Sequence, residues 1–303
     1  MSVARWIRLS YLIPIVLIAL VAIPARQTQA DDGIPVKIAL PSSLFRDFPK
    51  ITVDALMPTF NRLMERQTGL RGQIVMLKGA EEVGKELSDH KVQLAVFHGY
   101  EFAWAQAKHS NLKPLVVAIK QDSKLSAQVV VASDTNIEKL DDLKGQPVAI
   151  PRGTPEHCRL FLARRTRAIG QRQDKFFGQF TTPAHVAAAL DDVASGKVKA
   201  TVVDSVALEN YKWMNPSRAR KLRSLMKSEN FPTGVIAYSD GGMPAGELKK
   251  FKDGLTTAHQ RPEGLQLMML WKMSRFENVP PDYQQTLADI AKAYPPPING
   301  DEP

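Results

Sequence analysis

The chain has 303 residues, 44% hydrophobic and 23% charged, with 40 Lys+Arg against 31 Asp+Glu, a formal +9. The basic excess is spread along the sequence without a polybasic block, which favours acidic ligands weakly and argues against a nucleic-acid partner. A single cysteine, Cys158, excludes an internal disulfide, so stability must come from core burial in one large domain or two lobes.

Residues 1–30 read as an export signal. Arg5 and Arg8 precede an apolar run over 9–24, and Thr28-Gln29-Ala30 supplies the small residues of a cleavage site, so the mature chain is expected to begin at or near Asp31. The run is slightly short for a membrane span, and an uncleaved anchor stays open. Either way, the folded part is expected to be periplasmic or otherwise extracytoplasmic. Three arginines and no acid fall in this segment, so the remainder carries 37 basic against 31 acidic groups, +6.

From residue 34 the pattern alternates between strand and helix. A first strand is expected over 36–40, followed by the polar turn Pro41-Ser42-Ser43 and a helix with Leu56, Phe60, Leu63 and Met64 on one face. Further strands are expected over 74–77, 92–97 and 115–119, with a short helix over 81–87. The third strand runs directly into His98-Gly99-Tyr100-Glu101 and another helix. Strands separated by helices imply parallel pairing in an α/β fold.

A second unit repeats the pattern, with strands over 128–132, 148–150, 176–180 and 200–203 and helices over 137–143, after Thr154-Pro155 and after Thr182-Pro183. Asp204-Ser205 ends the last of these strands. Residues 234–238 read as a strand returning to the first unit, 247–293 as mostly helical, and 295–303 as a disordered tail.

The segment GQPVAIPRGTPEHCRLFLARRTRA, 145–168, is the most informative stretch. A buried strand end feeds a break at Pro151-Arg152-Gly153, and Thr154 is expected to cap a helix whose first residue is Pro155. Such a helix start presents backbone N–H groups to an anion. Most strand–turn–helix units bind nothing, and phosphate-cradling turns are usually richer in glycine.

The pieces VQLAVFHGYEFAWAQ, LKPLVVA, LDDLKGQPVAIPRGTPEHCRLFL, KATVVDSVALENY and ENFPTGVIAY stand in order between about residues 35 and 280. In that order and spacing the chain resembles the periplasmic solute-binding proteins of phosphate, phosphite and phosphonate ABC transporters. The resemblance implies a two-lobed type II periplasmic-binding-protein fold, with two parallel-rich sheets and a hinge. Lobe one would comprise 31–125 plus 228–294, and lobe two 126–227. It implies a ligand between the lobes, met by Gly153, Thr154 and the backbone of Glu156 and His157 from one side. Gly99 and Tyr100 would face it, Asp204 would stand at the rim, and Ser42 would close the site from below.

The chain departs from that family where Pro155, Glu156 and His157 replace hydroxyl residues at the helix start. Pro155 deletes a donor, and Glu156 is expected to repel an anion there; His157 and Arg152 could compensate. Tyr100 could equally bury its ring against its own helix, and Asp204 could simply cap the helix it precedes. Phe102 and Trp104 are expected to pack that helix down.

No metal or cofactor is expected. His90, His98, His109, His157, His185 and His259 lie far apart, with no HExxH, paired Cys, GxSxG elbow or Gly-rich phosphate loop. Cys158 is expected in the core with Phe161 and Leu162, its thiol turned away from His157. The function expected is a monomeric binding protein that closes on a small anionic ligand and presents it to an ABC permease or a membrane sensor. The alternative is an enzyme on the same fold acting on a small carboxylated or phosphorylated metabolite. The export signal and the lack of a base–nucleophile pair weigh against it.

Overall fold

A computed structural model describes residues 35–297, apart from 47, 121–124 and 272. The expected signal segment and residues 298–303 lie outside the described residues. No described helix is long and apolar enough to cross a membrane.

The first part of the chain runs β1 (Val36–Pro41), α1 (Lys50–Thr68), β2 (Gly72–Leu77), α2 (Ala80–Ser88), β3 (Leu94–Phe97), α3 (Gly99–Lys108) and β4 (Leu112–Ile119). It continues with β5 (Ala127–Ala132), β6 (Pro147–Ala149), α4 (Glu156–Ala168), α5 (Gln173–Phe176), β7 (Gln179–Thr181) and α6 (Val186–Ala194). After these come β8 (Ala200–Asp204), α7 (Ser205–Met214), α8 (Pro216–Ala219), β9 (Leu222–Lys227) and β10 (Gly234–Ser239). The chain closes with α9 (Ala245–Thr256), α10 (Pro262–Leu270), β11 (Arg275–Glu277) and α11 (Tyr283–Ala293).

Two sheets result, in the orders β11-β4-β10-β3-β1-β2 and β7-β6-β8-β5-β9. β1 pairs parallel with β2 and β3, and β6 pairs parallel with β7 and β8. The returning strand β10 wedges antiparallel between β3 and β4. Helices cover both faces, which is why central strands are apolar throughout. β5, AQVVVA, is buried at every position. The two crossings between the sheets run side by side, joined by the antiparallel bridge Leu125↔Phe231, with Phe231 N–H donating to Leu125 O at 2.7 Å.

Several expected elements shift. The stretch expected as a strand over 176–180 divides into the end of α5 and the start of β7, because Gly178 packs its backbone against Gly145. Of the helix expected over 137–143, only a short 3-10 turn at Leu140–Leu143 forms. The helix expected after Thr182-Pro183 begins later, at Val186. β9 and β11 were not expected. Pro295, placed in the expected disordered tail, is bonded: its carbonyl accepts from the Arg164 guanidinium on α4.

An apolar cluster joins the two halves. Tyr100 and Trp104 on α3 and Ile290 and Tyr294 at α11 pack with Val129, Val148, Phe161 and Val202 of the second sheet and its helix, with Phe231 among them. Trp104 Nε1 donates to the Tyr294 carbonyl at 2.6 Å, which satisfies the indole that burial would otherwise strand.

Candidate ligand site

Strand ends and helix starts from both sheets meet beside this cluster. The turn after β6 needs Gly153, whose φ of +70° other residues rarely adopt. Thr154 is buried but does not cap α4. Its hydroxyl donates back to the Pro151 carbonyl at 2.6 Å, Pro155 occupies the cap position, and the helix begins at Glu156. The Thr154 side chain therefore stabilises the turn, and the N–H groups of Glu156 and His157 head the helix, where no intrahelical carbonyl can reach them.

Glu156 does not stand as a bare repulsive charge. It is 7% exposed, and its Oε1 accepts from Arg46 Nε at 2.8 Å, with Arg159 Nε at 3.6 Å. Burial pushes its carboxyl up, and Arg46, His98 and Arg159 offset that only in part. Arg46 follows the 3-10 turn after β1 in the first sheet, whereas Glu156 opens α4 on the second. The pair spans the two halves.

His98 follows β3 at the cap position of α3, and its ring stacks on Tyr100 with centroids 5.8 Å apart. Burial lowers its pKa to about 4, against the pull of Glu156, so the imidazole is neutral near pH 7. Glu101, in the first turn of α3, accepts from His98 N–H at 3.2 Å and from the Ser43 hydroxyl at 2.6 Å. Gly99 is explained by packing: a Cβ there would lie 2.2 Å from Pro232 O and 2.5 Å from Thr233 O. Tyr100 is buried and packs edge-on against Trp104 and Phe231. Ser42 is exposed, and its hydroxyl donates to Lys78 O at 2.5 Å.

Asp204 has two partners, one for each oxygen. Oδ1 caps α7 by accepting from Val206 N at 2.9 Å and Ala207 N at 3.4 Å, while Oδ2 meets His157 Nε2 at 3.0 Å. Burial raises its carboxyl, but the His157 bond and charge and the two N–H groups outweigh this and hold it below the ordinary aspartate value. An ionised Asp204 can only accept, so His157 Nε2 carries the proton between them.

The Cys158 thiol was expected to face away from His157. Instead Sγ lies 3.4 Å from the same Nε2. A thiol–imidazole–carboxylate relay needs the acid on one ring nitrogen and the thiol on the other. Here both use Nε2, and burial beside Asp204 pushes the thiol well above its usual range. The arrangement is not that of a nucleophile.

The structure thus sets His157 against Asp204, with Gly153 and Thr154 in the turn before α4 and Tyr100 meeting the same Phe231 ring as His157, while the Ser42 hydroxyl bonds Lys78. Sequence reasoning missed Arg46, Arg159, Ser43 and Glu101. For Arg46 one signal existed: ligands in open α/β sheets sit at strand carboxyl ends, and Arg46 comes shortly after β1.

Residues 47–283 match the family described as ABC transporter, phosphonate, periplasmic substrate-binding protein. The chain belongs to this family of periplasmic substrate-binding components. No curated protein matches it in sequence. Among solved structures it is similar to PhnD1 from Prochlorococcus marinus in complex with methylphosphonate, at 15% identity and TM-score 0.55, covering 85% of this chain and 97% of that one. It is also similar to a binding protein component of an ABC phosphonate transporter from Pseudomonas aeruginosa, at 14% identity and TM-score 0.50, over 89% and 92%. A Xanthomonas citri protein bound to ATP gives 15% identity and TM-score 0.55, over 86% and 97%. The fold is that of the two-sheet, type II periplasmic binding proteins.

Proposed function

We propose that this protein is an extracytoplasmic solute-binding protein that closes two lobes on a small oxyanion, of phosphonate or phosphate type, and hands it to an ABC permease. The lobes would be 31–125 plus 228–294, and 126–227, hinged at the paired crossings beside Leu125 and Phe231. The observation that carries the reading is the ion pair at the α4 N-terminus. A guanidinium from the first sheet, Arg46, reaches a carboxylate held at a helix start of the second, with Arg159 beside it. Helix N-termini and arginine forks favour oxyanions. Glu156 supplies such an oxyanion from within the chain, so the same donors suit an incoming one once the carboxylate swings aside.

The ligand would touch the backbone N–H groups of Glu156 and His157, Arg46 and Arg159, with His157 and Asp204 at the rim. Calorimetry against phosphate, phosphite, methylphosphonate, 2-aminoethylphosphonate and sulfate, in the presence of EDTA, tests this. Saturable one-to-one binding of at least one anion is expected. Absence of binding by all five would defeat the oxyanion reading.

A further inference from the structure

We propose that His157, Cys158 and Asp204 form a binding site for one borderline divalent transition-metal ion, of which zinc is the best match. The inference rests on the same opening of the two halves and shares His157 and Asp204 with the proposed anion site, but the ion is titrated with no phosphate or phosphonate present, so either reading can fail alone. The ligating atoms of the three side chains all lie within 4.8 Å of one another, on the first turn of α4 and the end of β8. Nothing in the sequence spacing announces this, because the third donor comes from a different strand, 46 residues beyond Cys158.

The distances suit a small ion. Zinc binds imidazole nitrogen at about 2.0–2.1 Å, carboxylate oxygen at about 2.0–2.2 Å and thiolate at about 2.3 Å. A tetrahedron with those bonds has N···O and N···S edges of about 3.3 and 3.6 Å. The observed separations are 3.0 Å from His157 Nε2 to Asp204 Oδ2 and 3.4 Å from Nε2 to Cys158 Sγ. The third edge, between Cys158 Sγ and the Asp204 carboxylate, lies within 4.8 Å against about 3.6 Å in the tetrahedron, so a shift of up to about an ångström of these side chains forms the site. The common focus on one nitrogen, useless for a nucleophilic relay, is what a shared ion requires.

Charge and surroundings agree. A thiolate and a carboxylate neutralise a divalent cation, so the filled site is electrically balanced where Cys158 is fully buried. Thiolate and imidazole donors select zinc-like ions over magnesium or calcium, which take oxygen ligands. Asp204 is already oriented by its bonds to Val206 and Ala207, the supporting contact that ligating carboxylates normally have. Two further buried atoms nearby have no hydrogen-bond partner, Glu156 Oε2 on the adjacent residue and Nε2 of His98. Neither belongs to the three-donor cluster, so water fills the fourth position. The ion would enter while the two halves stand apart.

On binding, M²⁺ forms a bond to Sγ and the thiol proton leaves to solvent. A neutral His157 ring moves its proton from Nε2 to Nδ1 and releases none, whereas a protonated ring already holds one on Nδ1 and releases the Nε2 proton to solvent. No electrons move. The test uses untagged protein, stripped with EDTA and exchanged into chelator-free, phosphate-free buffer. Zinc chloride is titrated by calorimetry in two buffers of different ionisation enthalpy, and cobalt(II) chloride is followed by absorbance. The expected result is one ion per chain, at least one proton released, and a near-ultraviolet thiolate-to-cobalt charge-transfer band. Cys158→Ser removes that band and weakens zinc by at least about a hundredfold, more than loss of a merely supporting contact costs. The cobalt band is read on the unaltered protein, so it decides the matter even if a variant folds poorly. Cobalt bound without the band, no saturable binding, or Cys158→Ser binding zinc as tightly as the parent would each overturn the proposal.

Discussion

Arg46 and Glu156 show how one residue changes the meaning of a helix start. A carboxylate in the first turn of α4 is favoured by the helix dipole, and here it is also buried against two arginines. Glu156→Gln removes the charge that competes for Arg46, and oxyanion affinity in calorimetry should rise by about tenfold, or about 1.4 kcal/mol. The same change leaves a buried amide where an ion pair stood, so urea unfolding should show a loss of stability. Thr154 behaves differently. Its hydroxyl serves the Pro151 carbonyl, so Thr154→Ala should cost about 0.5–1.5 kcal/mol of stability and change anion affinity little. A drop in affinity beyond tenfold for Thr154→Ala, with stability unchanged, would mean that the hydroxyl turns to the ligand instead.

At the scale of elements, α3 and the α6–α7–α8 group carry the next tests. The first residue of α3, Gly99, lies under the Pro232–Thr233 backbone, which itself leads into β10. Gly99→Ala forces α3 away from that backbone, and the expected cost is about 1–3 kcal/mol in urea unfolding. On the far side of the second sheet, Asp191 accepts from Tyr211 Oη at 2.6 Å and from Arg218 at 2.5 Å, linking α6, α7 and α8. Burial raises the Asp191 carboxyl, but these two donors outweigh it and hold it below its ordinary value. Burial and Asp191 together push the Tyr211 hydroxyl up to about 12. A depressed carboxyl contributes stability that is fully present above its unfolded pKa, near 4, and lost as pH falls through the folded value. Asp191→Asn should therefore flatten the stability curve below about pH 4 and, because Asp191 also helps raise Tyr211, make the loss above about pH 10 shallower, as read from urea midpoints across pH.

Much of this level was legible in the sequence. The apolar runs of β1, β3, β5 and β8 stand out because both faces of those strands are buried. The return of β10 could be read from GVIAY. Asp204 before a helix announced a cap, and the structure gives it that role through Oδ1. β9 escaped because LRSLMK alternates poorly and lies at the edge of its sheet, where half-burial tolerates Arg223 and Lys227. The site was harder to read. Arg46, the Glu156–His157 pair and Asp204 lie on three different segments, and no local pattern says that Arg46 crosses to Glu156 or that His157 and Cys158 both turn toward Asp204.

For the whole molecule, the closure proposed above depends on what lies between the sheets. Phe231 sits in one of the two crossings and touches Tyr100, His157 and Tyr294, with centroids 6.3, 5.4 and 4.8 Å away. Phe231→Ala should cost about 3–5 kcal/mol in urea unfolding. The end of α11 adds a strap, since Tyr294 Oη bonds Glu229 while Arg165 on α4 holds the same carboxylate at 2.8 Å. These contacts join the two sheets, and on the proposed reading an incoming ligand competes at the Arg46–Glu156 pair. The most direct measurement of the account is calorimetry of methylphosphonate and phosphate binding to the parent protein, Arg46→Ala and Glu156→Gln, side by side. The account predicts that Arg46→Ala weakens the bound anion by about ten- to a hundredfold, while Glu156→Gln strengthens it. Binding that persists with equal affinity in all three proteins would place the ligand elsewhere and contradict it.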